Sequence, residues 1–563
     1  MKHIKKILQL ASLAAILFFT KNVNSQTISS HYFGENAWMP DTIGNAKQCT
    51  EPPCVLNGKL YQEWGNIKNS KAALIRFGGV AADRNMPTDY QYIKMIDSIR
   101  GNGMEPIIQV PFCNNRYTAQ QAADIVNYIN IIKGKHIKYW IIGNEPNLGY
   151  SYTTSAQIAN YIRPFASAMK KTDPTILIIG PELAWFDQTL IDNLTTPNGP
   201  DDITGKDGAG KYYIDVFSFH TYPFNGTQTR DQVISKLTAA GSLSPNLDHL
   251  NTRIAAANSV HNRTGASAIT TAITEANVCY QNSSSDNING VGANSFIGGQ
   301  FVAELLCIGM KKNVDFVNVW SVIEGNSASS NIGYIDAATN TKKPLYYHFK
   351  LLAENFGGNY INGTSNVTNV KAFGSRDSKQ ISVLLLNEDL SQNYTYTVKL
   401  DNTTITESSP LKINMDAGLS KEYSETVDNQ TSLLLVFDLS GNIVRKIEYK
   451  LNGNADNNLP PTVTEMAPVL TSVPTLTPET SATFNASVYP NPSSEFFNIK
   501  VSSTGLEKIT VNIFDMTGRL CLNMNELEVD KEVKFGANLT PGYYIAEVNQ
   551  GIKKQTIKFI KTQ

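Results

Sequence analysis

Between residues 27 and 356, short β-rich apolar runs alternate with amphipathic helical stretches, and this alternation constrains the fold more than any other feature of the chain. Strands separated by helices must run parallel, because a return to the same side of a sheet needs a crossover long enough to hold a helix. Eight runs qualify as strands, at 28–33, 73–77, 106–110, 139–143, 176–180, 214–219, 268–274 and 315–320. Eight parallel strands, each followed by a helix, close into a (β/α)8 barrel of the α/β class. A doubly wound open sheet is the main rival. It would place a GxGxxG turn after its first strand, which is absent here, and would gather functional residues at one switch point rather than after several strands.

With 563 residues the chain has room for more than a barrel. From 362 to 451 the pattern changes to strands parted by polar turns, which reads as a small β-sandwich. Residues 452–484, with Pro460, Pro461, Pro468, Pro474 and Pro478 among Thr, Ser and Asn, read as an extended linker. A second all-β module, Ig-like in size, follows. The expected organisation is a signal peptide at 1–25, barrel at 26–358, sandwich at 359–451, linker at 452–484 and terminal module at 485–563. The signal rests on Lys2, Lys5 and Lys6 ahead of an apolar stretch that ends before Val23-Asn24-Ser25, too short for a membrane span.

Forty-eight Lys and Arg against 49 Asp and Glu leave no electrostatic footprint for nucleic acid or an anionic membrane, so a neutral substrate is expected. Six cysteines permit disulfides in an exported chain. Cys49 and Cys54 could close a small ring, Cys113 and Cys279 could pair across the barrel rim, Cys307 reads as core, and Cys521 stands alone. No zinc spacing or HExxH occurs, so neither a metal nor a cofactor is expected.

Two apolar runs end in a glutamate: Ile141-Ile142-Gly143-Asn144-Glu145-Pro146-Asn147 and Ala272-Ile273-Thr274-Glu275-Ala276-Asn277. A Glu at the carboxyl end of a barrel strand points into the mouth where active sites form. Glu145 follows the fourth strand and Glu275 the seventh, so the two can face one sugar. Glycoside cleavage with retention needs such a pair, one acid to protonate the leaving oxygen and one carboxylate to attack the anomeric carbon. The bland alternatives are a helix start for Asn144-Glu145-Pro146, with the acid complementing the helix dipole, and a solvated rim position for Glu275.

At these residues the chain resembles the clan A glycoside hydrolases, retaining enzymes on a (β/α)8 barrel. The resemblance implies Glu145 as acid/base, preceded by Asn144, and Glu275 as nucleophile; the trailing sandwich is a frequent companion in the clan. It also implies that Arg76 holds the nucleophile ionised, that Tyr222 donates to it and that His220 lies near the acid/base. A structural ion pair for Arg76 and a satisfied rim pair for His220 and Tyr222 remain open. All five tryptophans precede residue 321. Trp320 is the expected floor under a sugar ring, Trp38 and Trp185 could extend a cleft, and Trp140 reads as packing. Glu35, Glu182 and Glu324 are rival acids near strand ends, without the Asn-Glu context.

The terminal module resembles the sorting domain of type IX secretion substrates of Bacteroidetes. The matching residues are Val488-Tyr489-Pro490-Asn491-Pro492, Phe514-Asp515-Met516-Thr517-Gly518-Arg519, Leu539-Thr540-Pro541-Gly542-Tyr543-Tyr544 and Thr556-Ile557-Lys558-Phe559. The resemblance implies handling by that secretion machinery and release or attachment at the cell surface; a carbohydrate-binding module is the alternative from composition. Together these readings lead to a secreted retaining glycoside hydrolase acting on a polysaccharide or oligosaccharide, with no nucleic-acid partner and no stable membrane span. Endo-β-glycanase action is the leading expectation. An exo-acting arabinofuranosidase or β-xylosidase and a non-catalytic glycan-binding surface protein are the alternatives.

Overall fold

The computed structural model describes residues 26–563 except 38, 41–45, 48–59, 85, 150–151, 325–326, 328, 403–410, 467–483, 504, 506, 517–518 and 552. The signal peptide, Trp38, the Cys49/Cys54 pair and most of the proline-bearing linker therefore lie outside the described residues.

Eight parallel strands close a barrel: β1 (Phe33–Ala37), β2 (Leu74–Phe77), β3 (Glu105–Val110), β4 (Tyr139–Ile142), β5 (Leu177–Leu183), β6 (Val216–Thr221), β7 (Thr270–Ala276) and β8 (Phe316–Val319). Each is hydrogen-bonded to its neighbours in sequence, and β8 pairs back onto β1. Successive inward positions on a strand are two residues apart, which divides the interior into layers. The lower layers are apolar, with Leu74, Ile107, Tyr139, Ile141, Ile179, Val216, Ala272 and Phe316 packed into one plug. One inward step higher, the same strands carry Arg76, Gln109, Ser218 and Thr274, all buried. Polar groups thus sit at the carboxyl end on a floor closed to water.

Seven strands fall where the hydrophobic pattern places them. The first does not: 28–33 was the expected run, but Tyr32 N–H bonds back to Ser29 O in a turn, and β1 starts at Phe33. Its sequence, Phe-Gly-Glu-Asn-Ala, is dictated by the barrel interior. Gly34 is required because a Cβ there would lie 2.5 Å from the Asn318 amide.

The barrel is followed in the same compact unit by a nine-stranded sheet folded over a core of Ile381, Val383, Leu385, Tyr396, Val398, Ile413, Leu433 and Leu435. The fold occurs at β9 (Asn359–Ser365), whose first half pairs with β10 (Val370–Arg376) and whose second half pairs with Leu411–Met415. Strand β9 and an edge strand at Thr462–Glu465 were not expected from the pattern; the latter lies in the stretch read as linker, so the sheet extends past 451. Helix Phe296–Lys311 is buried along nearly its whole length, because the barrel covers one face and the sheet the other. Lys371 of β10 ties its Glu304, and Gln300 donates to Asn387 O and Thr431 O.

The second unit contains a three-stranded sheet (Phe484–Tyr489, Phe497–Ser503, Glu532–Phe535) and a four-stranded one (Ile509–Asp515, Leu520–Leu527, Gly542–Gln550, Lys553–Lys561). Phe497, Phe535, Tyr544 and Phe559 pack at its core, Tyr544 stacked on Phe559 and the two phenylalanines edge-on to it.

The Cys113–Cys279 disulfide left open by the sequence is not formed; both are free thiols. Cys113 follows β3 and Cys279 follows β7, four strands apart on an eight-stranded ring, and a disulfide needs Cα atoms within about 7 Å. Buried Cys279 donates instead to Asn282 Oδ1. Cys307 is core, and Cys521 is a half-buried thiol. Among the described residues no helix is long and apolar enough to cross a membrane.

Candidate active site

Side chains on or just after several strands converge at the carboxyl end of the barrel around Arg76, which is wholly buried. One guanidinium nitrogen donates to Glu275 Oε1 at 2.8 Å and Asn36 Oδ1 at 3.0 Å. The other donates to Asn144 Oδ1 at 2.8 Å and Glu182 Oε2 at 2.9 Å. Strand register makes this possible, since Asn36 is the ladder partner of Arg76 and His220 that of Glu275.

Glu145 directly follows β4 with φ 47°, a left-handed conformation that turns its side chain into the mouth, and its N–H is held by Glu182 O at 3.0 Å. A positive φ on a non-glycine residue costs on the order of 1 kcal/mol and is kept where surrounding structure enforces it. His220 bridges the acids, with Nδ1 3.0 Å from Glu145 Oε1 and 3.5 Å from Glu275 Oε2, and Nε2 3.3 Å from Glu182 Oε2. Tyr222 donates to Glu275 Oε2 at 2.8 Å. One oxygen of Glu145, one of Glu275 and a ring nitrogen of His220 all lie within 4.8 Å of one another. This trio has the composition of a cation site, but both Glu275 oxygens and both His220 nitrogens already have partners, and Arg76 supplies positive charge.

Electrostatics sort the carboxyls. Burial alone would raise Glu182, but Arg76 and His220 outweigh it and hold the acid at about 2. Burial would lower His220, yet Glu275, Glu145 and Glu182 together raise it to about 10, so the ring is a cation at neutral pH. Burial raises Glu275, and the Glu145 charge adds to this against the pull of His220, Arg76 and Tyr222. Three carboxyls thus face two cations. The exposures differ as well: the Glu145 side chain is 20% exposed and that of Glu275 6%.

A cavity of about 550 Å³ opens above the pair. Asn144, Glu145, Tyr222, Glu275, Trp185 and Trp320 line it, all six among the residues singled out from sequence. Trp320 is nearly buried, and its ring edge lies against Gly79, where a Cβ would come within 2.8 Å. Trp185 is 46% exposed at the rim. Trp140 is fully buried packing, its indole donating to Ile137 O. Of the rival acids, Glu35 is buried in β1 and accepts from the Tyr334 hydroxyl, Glu182 lies beneath the site as an ion-pair partner, and Glu324 lines the cavity. Asn36 and Gln109 were not singled out, although each is a polar residue inside an apolar strand, the signal that could have found them. Tyr280 and Leu148, exposed on the cavity wall, carry no comparable signal.

Residues 487–562 match the family model of a secretion system C-terminal sorting domain. The terminal module is such a sorting domain. It marks the chain for export through the type IX pathway, to the medium or the cell surface. No curated protein sequence matches the chain. Among solved structures, the fold is shared with an α-L-arabinofuranosidase from Thermotoga maritima in complex with arabinose (TM-score 0.50, 15% identity, covering 73% of this chain and 95% of that one). It is shared equally with a family 51 α-L-arabinofuranosidase from Bifidobacterium longum (0.52, 14%, 75% and 97%) and a family 44 xyloglucanase from Paenibacillus polymyxa (0.51, 13%, 74% and 98%).

Proposed function

We propose that the barrel is a retaining glycoside hydrolase acting on a neutral glycan, with Glu275 as nucleophile and Glu145 as acid/base. The observation that carries this reading is the carboxylate pair, with oxygens within 4.8 Å at the carboxyl end of the barrel. Retaining enzymes hold the two groups roughly 5–5.5 Å apart, whereas inverting ones need roughly 6.5–9.5 Å to admit a water. In the first step a Glu275 oxygen attacks the anomeric carbon, the glycosidic C–O bond breaks, and Glu145 gives its proton to the leaving oxygen. In the second, Glu145 takes a proton from water as that water attacks the same carbon and releases Glu275. The greater exposure of Glu145 suits a group that must meet water, and the burial of Glu275 suits one that must exclude it.

Arg76 and Tyr222 hold the attacking carboxylate in position and stabilise it as it leaves in the second step. Cationic His220 orients Glu145. Arg76 occupies the Asn144 carbonyl, which leaves the Asn144 amide NH2 to meet a sugar hydroxyl. Trp320 offers a stacking face, and exposed Trp185 and Tyr280 extend the wall beyond the pair, which favours endo-β-glycanase action on a chain laid across the mouth. Likeness to the two arabinofuranosidases favours exo action as the second reading.

The test is a screen against polysaccharides and aryl glycosides with product analysis, joined to two variants. Glu275→Ala should lose the covalent intermediate. Glu145→Ala should keep turnover on substrates with good leaving groups and be rescued by azide with retained configuration. The reverse pattern exchanges the roles. Inverted product sinks the mechanism, and binding without turnover on every glycan supports a non-catalytic surface protein.

A further inference from the structure

Glu324 follows β8 on the strand-end stretch that carries Trp320, and the site described above does not use it. It is 6% exposed and lines the same cavity as Glu145 and Glu275. One of its oxygens accepts from the Trp320 indole N–H at 2.9 Å. Its other oxygen has no hydrogen-bond partner among the described residues. The Trp320 ring packs on Gly79, and a Cβ at Gly79 would stand 3.9 Å from Glu275 Oε1. The third carboxyl is anchored at the edge of the ring on which a sugar would stack, close enough to Glu275 to feel its charge.

Resting on the hydrolase reading, we propose that Glu324 is a specificity-determining residue that hydrogen-bonds a hydroxyl of the neutral sugar ring seated on Trp320. The anchoring fixes one oxygen and aims the other; a carboxyl tied at one end has lost most of the rotamer freedom that binding would otherwise have to remove. Burial raises Glu324 to about 8, and the Glu275 charge adds to this against the Trp320 bond and Lys343. Lys343 itself is turned away, its ammonium held by Asn331 O and Oδ1. Below pH 8 the group is thus a neutral acid, able to donate or accept. Above it, a second charge appears beside Glu275. Among the described lining residues there are three Glu and neither Lys nor Arg, so a uronate carboxylate at this position would meet only acids.

The experiment uses the full chain and whichever 4-nitrophenyl glycoside it hydrolyses fastest among the α-L-arabinofuranoside, β-D-xyloside, β-D-glucoside and β-D-cellobioside, measured from pH 5 to 9.5. Glu324→Gln keeps an acceptor for the indole and a donor for the hydroxyl but cannot titrate. It should hold KM within about threefold of wild type at pH 6 and abolish the rise in KM that wild type shows near pH 8. Glu324→Leu should raise KM roughly tenfold to a hundredfold at pH 6, the loss expected when a buried sugar hydroxyl is left without its partner. Unchanged KM in both variants, or a wild-type KM profile retained by Glu324→Gln, overturns the assignment. Equal losses in both variants at pH 6 also overturn it, since the neutral amide would then fail where a neutral acid succeeds. Wild-type inactivity on every glycoside defeats the hydrolase reading itself, a result distinct from any of these.

Discussion

Replacing Arg76 with Met removes the guanidinium bonded to both Glu182 and Glu275, the larger of the two cationic influences on Glu182 beside His220, while keeping much of the side-chain volume. Glu182 sits at about 2 in the fold against an ordinary 4.5, and it is completely buried. At 1.36 kcal/mol per unit, that depression corresponds to about 3 kcal/mol of stability at neutral pH, in line with the ~3–5 kcal/mol lost when one partner of a buried ion pair is removed. Because the folded value lies below the unfolded one, the contribution is complete above pH 4.5 and is lost as pH falls from 4.5 toward 2. The assay is urea unfolding followed by tryptophan fluorescence. All five tryptophans precede residue 321, so the signal reports on the barrel unit and is blind to the terminal module. At pH 7 the variant should be less stable by about 3–5 kcal/mol, with Tm lower by about 3–5 °C for a unit of this size. At pH 3.5 the gap should narrow by about 1–2 kcal/mol, since wild type has then lost part of the ionised Glu182 term and the variant had none to lose. A gap that is independent of pH, or below about 1 kcal/mol at pH 7, refutes the account of Arg76 as the main charge that keeps Glu182 ionised.

Other outcomes follow from the same geometry. Gly79→Val places a branched side chain where Trp320 already lies, at φ +93°, so the variant should lose at least about tenfold in kcat/KM with little change in far-UV circular dichroism. An intact kinetic profile would show that Trp320 is free to move. Incubation with EDTA should leave hydrolysis unchanged, because positive charge beside the carboxylates comes from Arg76 and His220; loss restored by a divalent ion would assign Glu145, His220 and Glu275 to that ion instead. Truncation after Val469, where the second compact unit begins, should preserve turnover of a soluble substrate while the protein is retained in the host periplasm. Export of the truncated chain would contradict the sorting role.

Legibility in the sequence followed the physics of each position. Glu145 and Glu275 stood out because each ends an apolar run, and only a barrel mouth asks for a carboxylate there. Glu182 was harder to read: Gly180 and Pro181 precede it, and a proline reads as the end of a strand although β5 continues to Leu183. Strand β1 was misplaced because Gly34, Glu35 and Asn36 satisfy neither hydrophobic alternation nor β propensity; they answer to Asn318, Tyr334 and Arg76, contacts distant in sequence. The edge strand at Thr462–Glu465 is exposed at every residue, so no burial pattern marks it. The Cys113–Cys279 pairing stayed open in the sequence because rim membership says nothing about which side of the ring a residue occupies.

Helix Phe296–Lys311 carries a consequence for anyone dissecting this chain. An outer helix of a barrel ordinarily shows water a polar stripe, and this one has none: Phe296 through Met310 are all buried, and the Glu304 charge is answered by Lys371 from the adjoining sheet. A barrel cut at residue 358 would present a bare oily ridge bearing one orphaned acid, a surface apt to clump or to collapse inward. The smallest piece that could be grafted, shuffled or crystallised as a self-sufficient barrel unit therefore ends near Met466, with the sheet retained as an inseparable outer wall.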